Sequence, residues 1–489
     1  MLWLLLLIPT VAGAAAMGLR NTAVLRRTLL PAAAAAHTAL TALCWIERPE
    51  PVLNGWLGLD EVALLVLSIT SGLFLAAAVY ATGYLRRESP RKTDFQEGSL
   101  FTDAPEARFV ACLLLFLATM TLVALSRHLG LLWVGVEATT LASAPLIYFH
   151  RHHRSLEATW KYLLICSVGI ALALQGNFFL AVAAHGSREV HLTIEHLQAH
   201  AGGLDPVWLK AAFLFLLIGY GTKMGLAPMH TWLPDAHSEA PSVVSALLSG
   251  ALLNCAFLGV LRVHALMSAA GLADFSGTLL TGFGLLSMAV AAIFIIEQAD
   301  YKRMLAYSSV EHMGILALGV GIGGLAGMGA MLHMVNHSLA KAMLFLLAGN
   351  ILAVYRTKSV VRVRGLLQVL PLTGPLWVAG FLAIAGSPPF GLFVSELVIL
   401  KGALQQGHVA LAIGYLLLLG IAFAAMARIV LRMAWGSAEG VAIEPDRVRG
   451  GWAVWPPMAL GIVVLALGVC LPEWLQTAVT QAAAAAGVR

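Results

Sequence analysis

Fourteen runs of mainly apolar residues, each at least 19 residues long, follow one another along the chain with short connections between them. They cover 1–19, 28–46, 58–84, 108–126, 129–149, 157–184, 208–232, 240–266, 275–297, 301–323, 325–355, 372–405, 408–434 and 452–474. A helix needs about 20 apolar residues to cross the hydrocarbon core of a membrane. In lipid the backbone can satisfy its own polar groups only in helices or closed barrels. The runs are continuous, not alternating, so they do not read as barrel strands. The pattern predicts an all-α integral membrane protein of about 14 transmembrane helices. Composition agrees: 60% of residues are hydrophobic and 11% charged, whereas soluble domains carry about 25% charged residues. A soluble enzyme, a disordered chain and a secreted disulfide scaffold are excluded. The first run ends in small residues as a signal peptide does, yet lacks a basic segment before its core, so it reads as a retained helix. Cys44, Cys112, Cys166, Cys255 and Cys470 all lie in apolar runs without metal-ligand spacing, and read as small buried hydrophobes.

Charge in the connections sets the topology. Connections after the odd-numbered runs hold 19 Lys and Arg residues, from Arg20, Arg26 and Arg27 in the first to Arg432, Arg447 and Arg449 in the last. The alternate connections hold Arg48, Arg127, Arg188, Arg262 and Lys401. By the positive-inside rule the first set faces the cytoplasm and both termini face outward. Four segments follow: three N-terminal helices (1–104), two five-helix units (105–268 and 269–435) and a C-terminal helix (436–489).

Charges within the runs are the informative ones, because a charge at the centre of a membrane helix costs roughly 2.5–3.5 kcal/mol. They are Glu137, Lys223, Lys341, Glu396 and Lys401, joined by His333 and His337. Lys161 and Lys210 lie nearer run ends, where long side chains reach the interface. His333, His337 and Lys341 recur at i, i+4 and i+8 and share one helical stripe about 12 Å long. Histidine gains and loses protons near neutral pH, so the stripe reads as a relay for protons or cations. Buried charges that pair only to fix packing are the simpler alternative.

Two runs are interrupted beside such charges. Gly221, Gly225 and Pro228 flank Lys223, and Gly386, Pro388, Pro389 and Gly391 precede Glu396. Proline removes a backbone donor and breaks a helix. Each interruption falls in the fourth of five runs, counting 4–8 and 9–13, which is the mark of two inverted repeats with one broken helix each. His185, His191, His196 and His200 in one connection, and His150, His152 and His153 in another, read as solvated loop residues and not as a metal site. Nucleotide-binding motifs and basic–aromatic nucleic-acid patterns are absent from the sequence.

The stretch KMGLAPMHTWLPDAHSEAPSVVSALLSGALLNCAFLGVLR (223–262) resembles the proton-conducting, antiporter-like membrane subunits of respiratory complex I and of Mrp-type sodium/proton antiporters. ADYKRMLAYSSVEHMG (299–314), HMVNHSLAKAMLFLLAGN (333–350) and KYLLICSVGIALALQGN (161–177) extend the resemblance over roughly 105–435. HSEAPSVVSALLSGALLNCAF and LEATWKYLLICSVGIALAL most resemble the F component of hydrogenase-4, in the membrane arm of group 4 hydrogenases of the formate hydrogenlyase type. The resemblance implies a proton-translocating subunit of a redox-driven complex in the bacterial cytoplasmic (inner) membrane. It implies other membrane-arm subunits and a peripheral redox arm as partners, with nickel–iron and iron–sulfur centres or flavin in those partners and no cofactor here. Glu137 and Lys223 would form an ion pair whose opening gates proton movement. His333, His337 and Lys341 would link two half-channels, with His312 nearby, and Glu396 would be the outward exit. Asn254 stands where many members have a titratable residue. A cation/proton antiporter subunit without redox partners, and a structural anchor that moves nothing, are the other two readings.

Overall fold

The computed structural model describes residues 1–19, 21–88, 91–93, 100–184, 191–437 and 451–488. His185, Arg20, Arg188, Arg447 and Arg449 lie outside the described residues. The chain is almost entirely helical. Among the described residues the only sheet is the short antiparallel pair β1 (Arg91–Thr93) and β2 (Leu100–Thr102).

The first helices are α1 (Leu2–Gly18), α2 (Ala23–Ile46) and α3 (Glu61–Arg87). They are followed by α4 (Glu106–Leu125), α5 (Leu129–Ile147), α6 (His153–Ala183), the short α7 (Ile194–Ala199) and α8 (Pro206–Met224). Next come α9 (Trp232–Glu239), α10 (Ser242–Leu247), α11 (Leu253–Ala269), α12 (Ala273–Ile295), α13 (Tyr301–Ile322) and α14 (Gly324–Tyr355). The chain continues through α15 (Leu366–Val369), α16 (Thr373–Ile384), α17 (Gly391–Gln405), α18 (Val409–Ala434), α19 (Trp455–Val469) and α20 (Glu473–Ala485). Among the described residues 11 helical spans, with α8–α9 and α10–α11 each taken as one, are long and apolar enough to cross a membrane, or 12 if the bent pair α19–α20 counts as one. The remaining apolar runs become the 17-residue α1 and the broken pair α16/α17.

Close packing rests on small residues. α12 lies along α13, and a Cβ on Gly284 would stand 2.7 Å from the Gly314 carbonyl oxygen. α6 lies along α8 in the same manner, with Gly219 against the Gly169 carbonyl at 2.7 Å. Without water between helices, such contacts are a main source of association. α14 is central: α3, α10, α13, α16, α17, α19 and α20 all touch it.

Both breaks fall where the prolines predict. α8 ends on Gly225, whose φ of +86° favours glycine. Pro228 follows before α9 resumes the path. Pro388 and Pro389 separate α16 from α17 after Gly386 at φ +62°. Protein groups meet the backbone atoms freed there, as lipid cannot. Trp232 Nε1 donates to the Thr222 carbonyl (2.8 Å), Ser287 Oγ accepts from Ala227 N–H (2.9 Å), and Asn336 Nδ2 donates to the Gly391 carbonyl (2.9 Å). A π-turn over Leu248–Leu252 joins α10 to α11.

Two expectations need correcting. The C-terminal segment holds two helices and not one: the chain turns by 85° after α19 and continues as α20, packed on α3 and α14. Cys44, Cys166 and Cys255 are buried, but Cys112 is half-buried and Cys470, at that bend, is exposed.

Candidate functional site

α8 places Lys223 on its last turn, wholly buried. The ammonium donates to Thr140 Oγ1 at 2.8 Å and to the Tyr162 hydroxyl at 2.5 Å. Ser143 Oγ hydrogen-bonds that same hydroxyl at 2.6 Å. Nζ also lies 4.3 Å from the Tyr162 ring centroid, where the ring quadrupole attracts a cation. Glu137, on α5 one turn before Thr140, is half-buried. Its carboxylate accepts from Thr140 Oγ1 at 3.4 Å and from Ser167 Oγ at 3.1 Å. Glu137 and Lys223 are therefore not in direct contact; the Thr140 hydroxyl stands between them, accepting from one and donating to the other. Glu137 turns towards the outer side of α5, where Ser167 is exposed.

The stripe on α14 forms as its spacing predicts. His333, His337 and Lys341 are each 0% exposed. His333 shares a 2.9 Å hydrogen bond with His312 of α13 through one ring nitrogen, and a 2.9 Å bond with Ser395 Oγ of α17 through the other. The His312 ring lies 5.1 Å from that of His333 and 5.0 Å from that of His337. Both ring nitrogens of His337 are buried without a hydrogen-bond partner. Lys341 Nζ donates to the Leu305 carbonyl of α13 at 2.8 Å, and the buried Glu311 lies on the same helix. Glu396, 7% exposed, presents an unpartnered Oε1, and a Cβ on Gly386 would collide with its carboxylate.

Asn254 lies on α11 and reaches α14. Its Nδ2 donates to Ser338 Oγ at 2.7 Å, next to His337 in sequence, and to the Gly250 carbonyl at 2.9 Å, while Oδ1 has no partner. The buried polar atoms without a hydrogen-bond partner include ones on His312, His337, Glu311, Glu396, Asn254 and Ser308. Such groups need hydrogen-bond partners, and where protein supplies none, water does.

Two candidates fall elsewhere. Lys161 is exposed and pairs with Glu157 (2.6 Å) and Asp235 (3.0 Å). Lys401 is exposed on α17, so its place in an apolar run does not make it buried. Among the loop histidines, the ring of His196 lies 5.1 Å from His191 and 4.3 Å from His200.

Thr140, Tyr162, Ser395 and Glu311 did not stand out in the sequence. One signal could have found Glu311: it lies near the middle of α13, the second helix of its five-helix unit, as Glu137 does on α5. Among the described residues, two groups have donor atoms close enough for a metal, within 4.8 Å of one another: His312, His333 and Glu396; and Glu88, Asp103 and His150. In each, an imidazole already hydrogen-bonds within the group, His312 with His333 and His150 with Asp103 at 2.9 Å.

Residues 126–422 match the family described as NADH:quinone oxidoreductase/Mrp antiporter, transmembrane. A relative named hydrogenase-4 component F homolog, from Methylacidiphilum infernorum, is 37% identical over 85% of this chain and 87% of its own length. A chain of the archaeal membrane-bound sulfane sulfur reductase, a respiratory membrane complex, superposes with a TM-score of 0.85 at 20% identity, covering 100% of this chain and 99% of that one. A chain of respiratory complex I from Thermus thermophilus gives 0.82 at 24% identity, with 100% and 99% covered. At such identities these structures establish the fold alone.

Proposed function

Because this chain belongs to the NADH:quinone oxidoreductase/Mrp antiporter transmembrane family, we propose that it is a membrane-arm subunit of a hydrogenase-4 or complex I-like machine, moving protons through its buried titratable chain. The observation that carries this is the α14 stripe: His333, His337 and Lys341, fully buried, share a line with His312, Glu311 and Glu396. Fixing helix packing would not need so many ionisable groups in one line, since apolar side chains pack at lower cost.

Lys223 is the first station. Its charged form is held by Thr140 and Tyr162, and the Thr140 hydroxyl links it to Glu137. A carboxylate moving closer favours the ammonium; one moving away favours release of its proton. The proton then passes by the Asn254–Ser338 contact to His337 and Lys341, and by His312 and His333 to Glu396. Asn254 does not titrate, so it serves as a hydrogen-bonded bridge. The units 105–268 and 269–435 are read as the two repeats, each contributing one broken helix.

Electron transfer is assigned to partner subunits carrying the metal or flavin centres, in a peripheral redox arm. Glu137 favours a membrane neighbour as well. It is half-exposed on a side face with Val134, Leu141, Leu164 and Val168, and a carboxylate against lipid is costly. The connections rich in Arg and Lys are placed on the cytoplasmic side of the inner membrane and both termini outside.

Lys223→Ala in the assembled complex tests the reading. Proton translocation into inverted vesicles is expected to be lost; normal proton pumping with normal electron transfer would overturn it. Repeating the measurement with and without sodium separates proton from sodium transport.

A further inference from the structure

The end of α3 away from Arg86 and Arg87 holds a second feature, apart from the buried chain described above. There the starts of α3 and α5, the short α7, the second half of α11 and the end of α20 surround a cavity of about 220 Å³. Its polar wall is Asp60, Arg127, Glu195, Gln198 and Arg262.

The carboxylates on this wall are already engaged. Asp60 Oδ2 accepts from Arg262 Nη1, and Asp60 Oδ1 accepts from the Ala63 N–H at 2.8 Å. Glu195 pairs with Arg127. The main chain of Arg127 is fixed on both sides: its N–H donates to the Trp56 carbonyl (2.8 Å) and its carbonyl accepts from Ile194 N–H (2.9 Å). What remains unmet is donor capacity. Arg262 is 6% exposed, and its Nε and Nη2 are buried without a hydrogen-bond partner. These two nitrogens present their hydrogens along one edge of the guanidinium plane, the edge that takes two oxygens of one carboxylate or phosphate side by side. Leaving donors of a buried charge unmet is costly, and a water offers one oxygen where this edge takes two.

Size and lining narrow the ligand. About 10–15 Å³ of such space admits one water, so the cavity admits a polyatomic group. The rest of the wall is apolar, with Val62, Leu258 and Ala485 among it. The cavity therefore suits a charged head joined to an apolar body, and it lies at the ends of membrane-spanning helices, where lipid headgroups are found. We propose that this cavity is a phosphate site, in which the side edge of Arg262 holds two oxygens of one phosphate group supplied by an anionic phospholipid or by the free ion. Arg127 places a second cation on the same wall. Under the proposed topology the site faces the outer leaflet.

The test uses the whole complex, purified in detergent and stripped of loosely held lipid. Its probes are radiolabelled inorganic phosphate and short-chain phosphatidylglycerol, with native mass spectrometry to count bound lipid. Saturable binding, one per copy of this chain, is expected. Binding of the lipid, with or without phosphate, assigns the headgroup; binding of phosphate alone assigns the free ion. Arg262→Lys keeps a cation beside Asp60 but lacks the edge, so affinity is expected to fall about tenfold or more with two charge-assisted hydrogen bonds lost. Gln198→Glu puts a carboxylate on the partly exposed wall and is expected to weaken the same binding by repulsion, about tenfold. It is the variant to read if Arg262→Lys does not assemble. Unchanged affinity in the variant that is read would overturn the proposal. So would a wild-type complex that binds neither probe, which would leave the Arg262 edge to a protein carboxylate.

Discussion

At Lys223, hydroxyls and not a carboxylate meet a buried ammonium. Thr140→Val removes one acceptor and the hydroxyl that joins Lys223 to Glu137. An unmet hydrogen bond on a buried charged group costs about 1–3 kcal/mol, so translocation should fall about tenfold or more, measured as vesicle acidification at a fixed rate of electron transfer. Glu137, Lys223, Lys341 and Glu396 were legible because a charge inside an apolar run is conspicuous. Thr140 and Tyr162 were not, because hydroxyls occur throughout these helices and most bond their own backbone, as Thr139 does to Val136. Lys401 misled for a related reason: a run shows hydropathy, not which face of the helix is buried. An ion pair of Asp60 with Arg262 fixes the start of α3 to α11. Burial would raise the Asp60 carboxyl, but the Arg262 guanidinium and the Ala63 N–H outweigh it and hold the pKa below the usual range. A lowered carboxyl stabilises the fold above its unfolded pKa and loses that contribution as pH falls through the folded value. Asp60→Asn should therefore cost about 3 kcal/mol at neutral pH, seen in thermal unfolding in detergent. The difference from wild type should shrink in acid, below about pH 4.

Among the elements, the two broken helices matter most. Glycine and proline marked both breaks in the sequence. What they could not show is how each break serves the site: Gly225 ends α8 on the turn that holds Lys223, and Gly386 leaves room for the Glu396 carboxylate. Gly386→Ala places a Cβ against that carboxylate and strains a backbone at φ +62°. The variant is expected to assemble, because the clash is with the end of a side chain, and to lose most proton translocation because Glu396 is displaced. Gly284→Val acts differently. Its added bulk meets the Gly314 carbonyl and Leu318 backbone where α12 and α13 touch, so loss of assembled complex on native gels is expected. α20 escaped notice because EWLQTAVTQAAAA is alanine-rich and weakly apolar; it is held by packing on α3 and α14 more than by its own hydropathy.

For the whole molecule, spans and connections were legible because lipid leaves the backbone few choices. The tertiary neighbours of the α14 stripe were not. His312 and Ser395 come from α13 and α17, and only the folded packing brings them to His333. The proposed topology predicts that single cysteines replacing Arg362 and Gln198, in a background without the native cysteines, react with an impermeant thiol reagent from opposite sides of the membrane. Labelling of both from one side would contradict it. If the buried stripe of α14 carries the protons, the number of protons moved per electron transferred by the complex depends on Lys341, and Lys341→Met is the variant to measure. Lys341 lies between Glu311 and His337, so the ratio is expected to drop well below that of the wild type. An unchanged ratio at an unchanged electron-transfer rate would contradict the account.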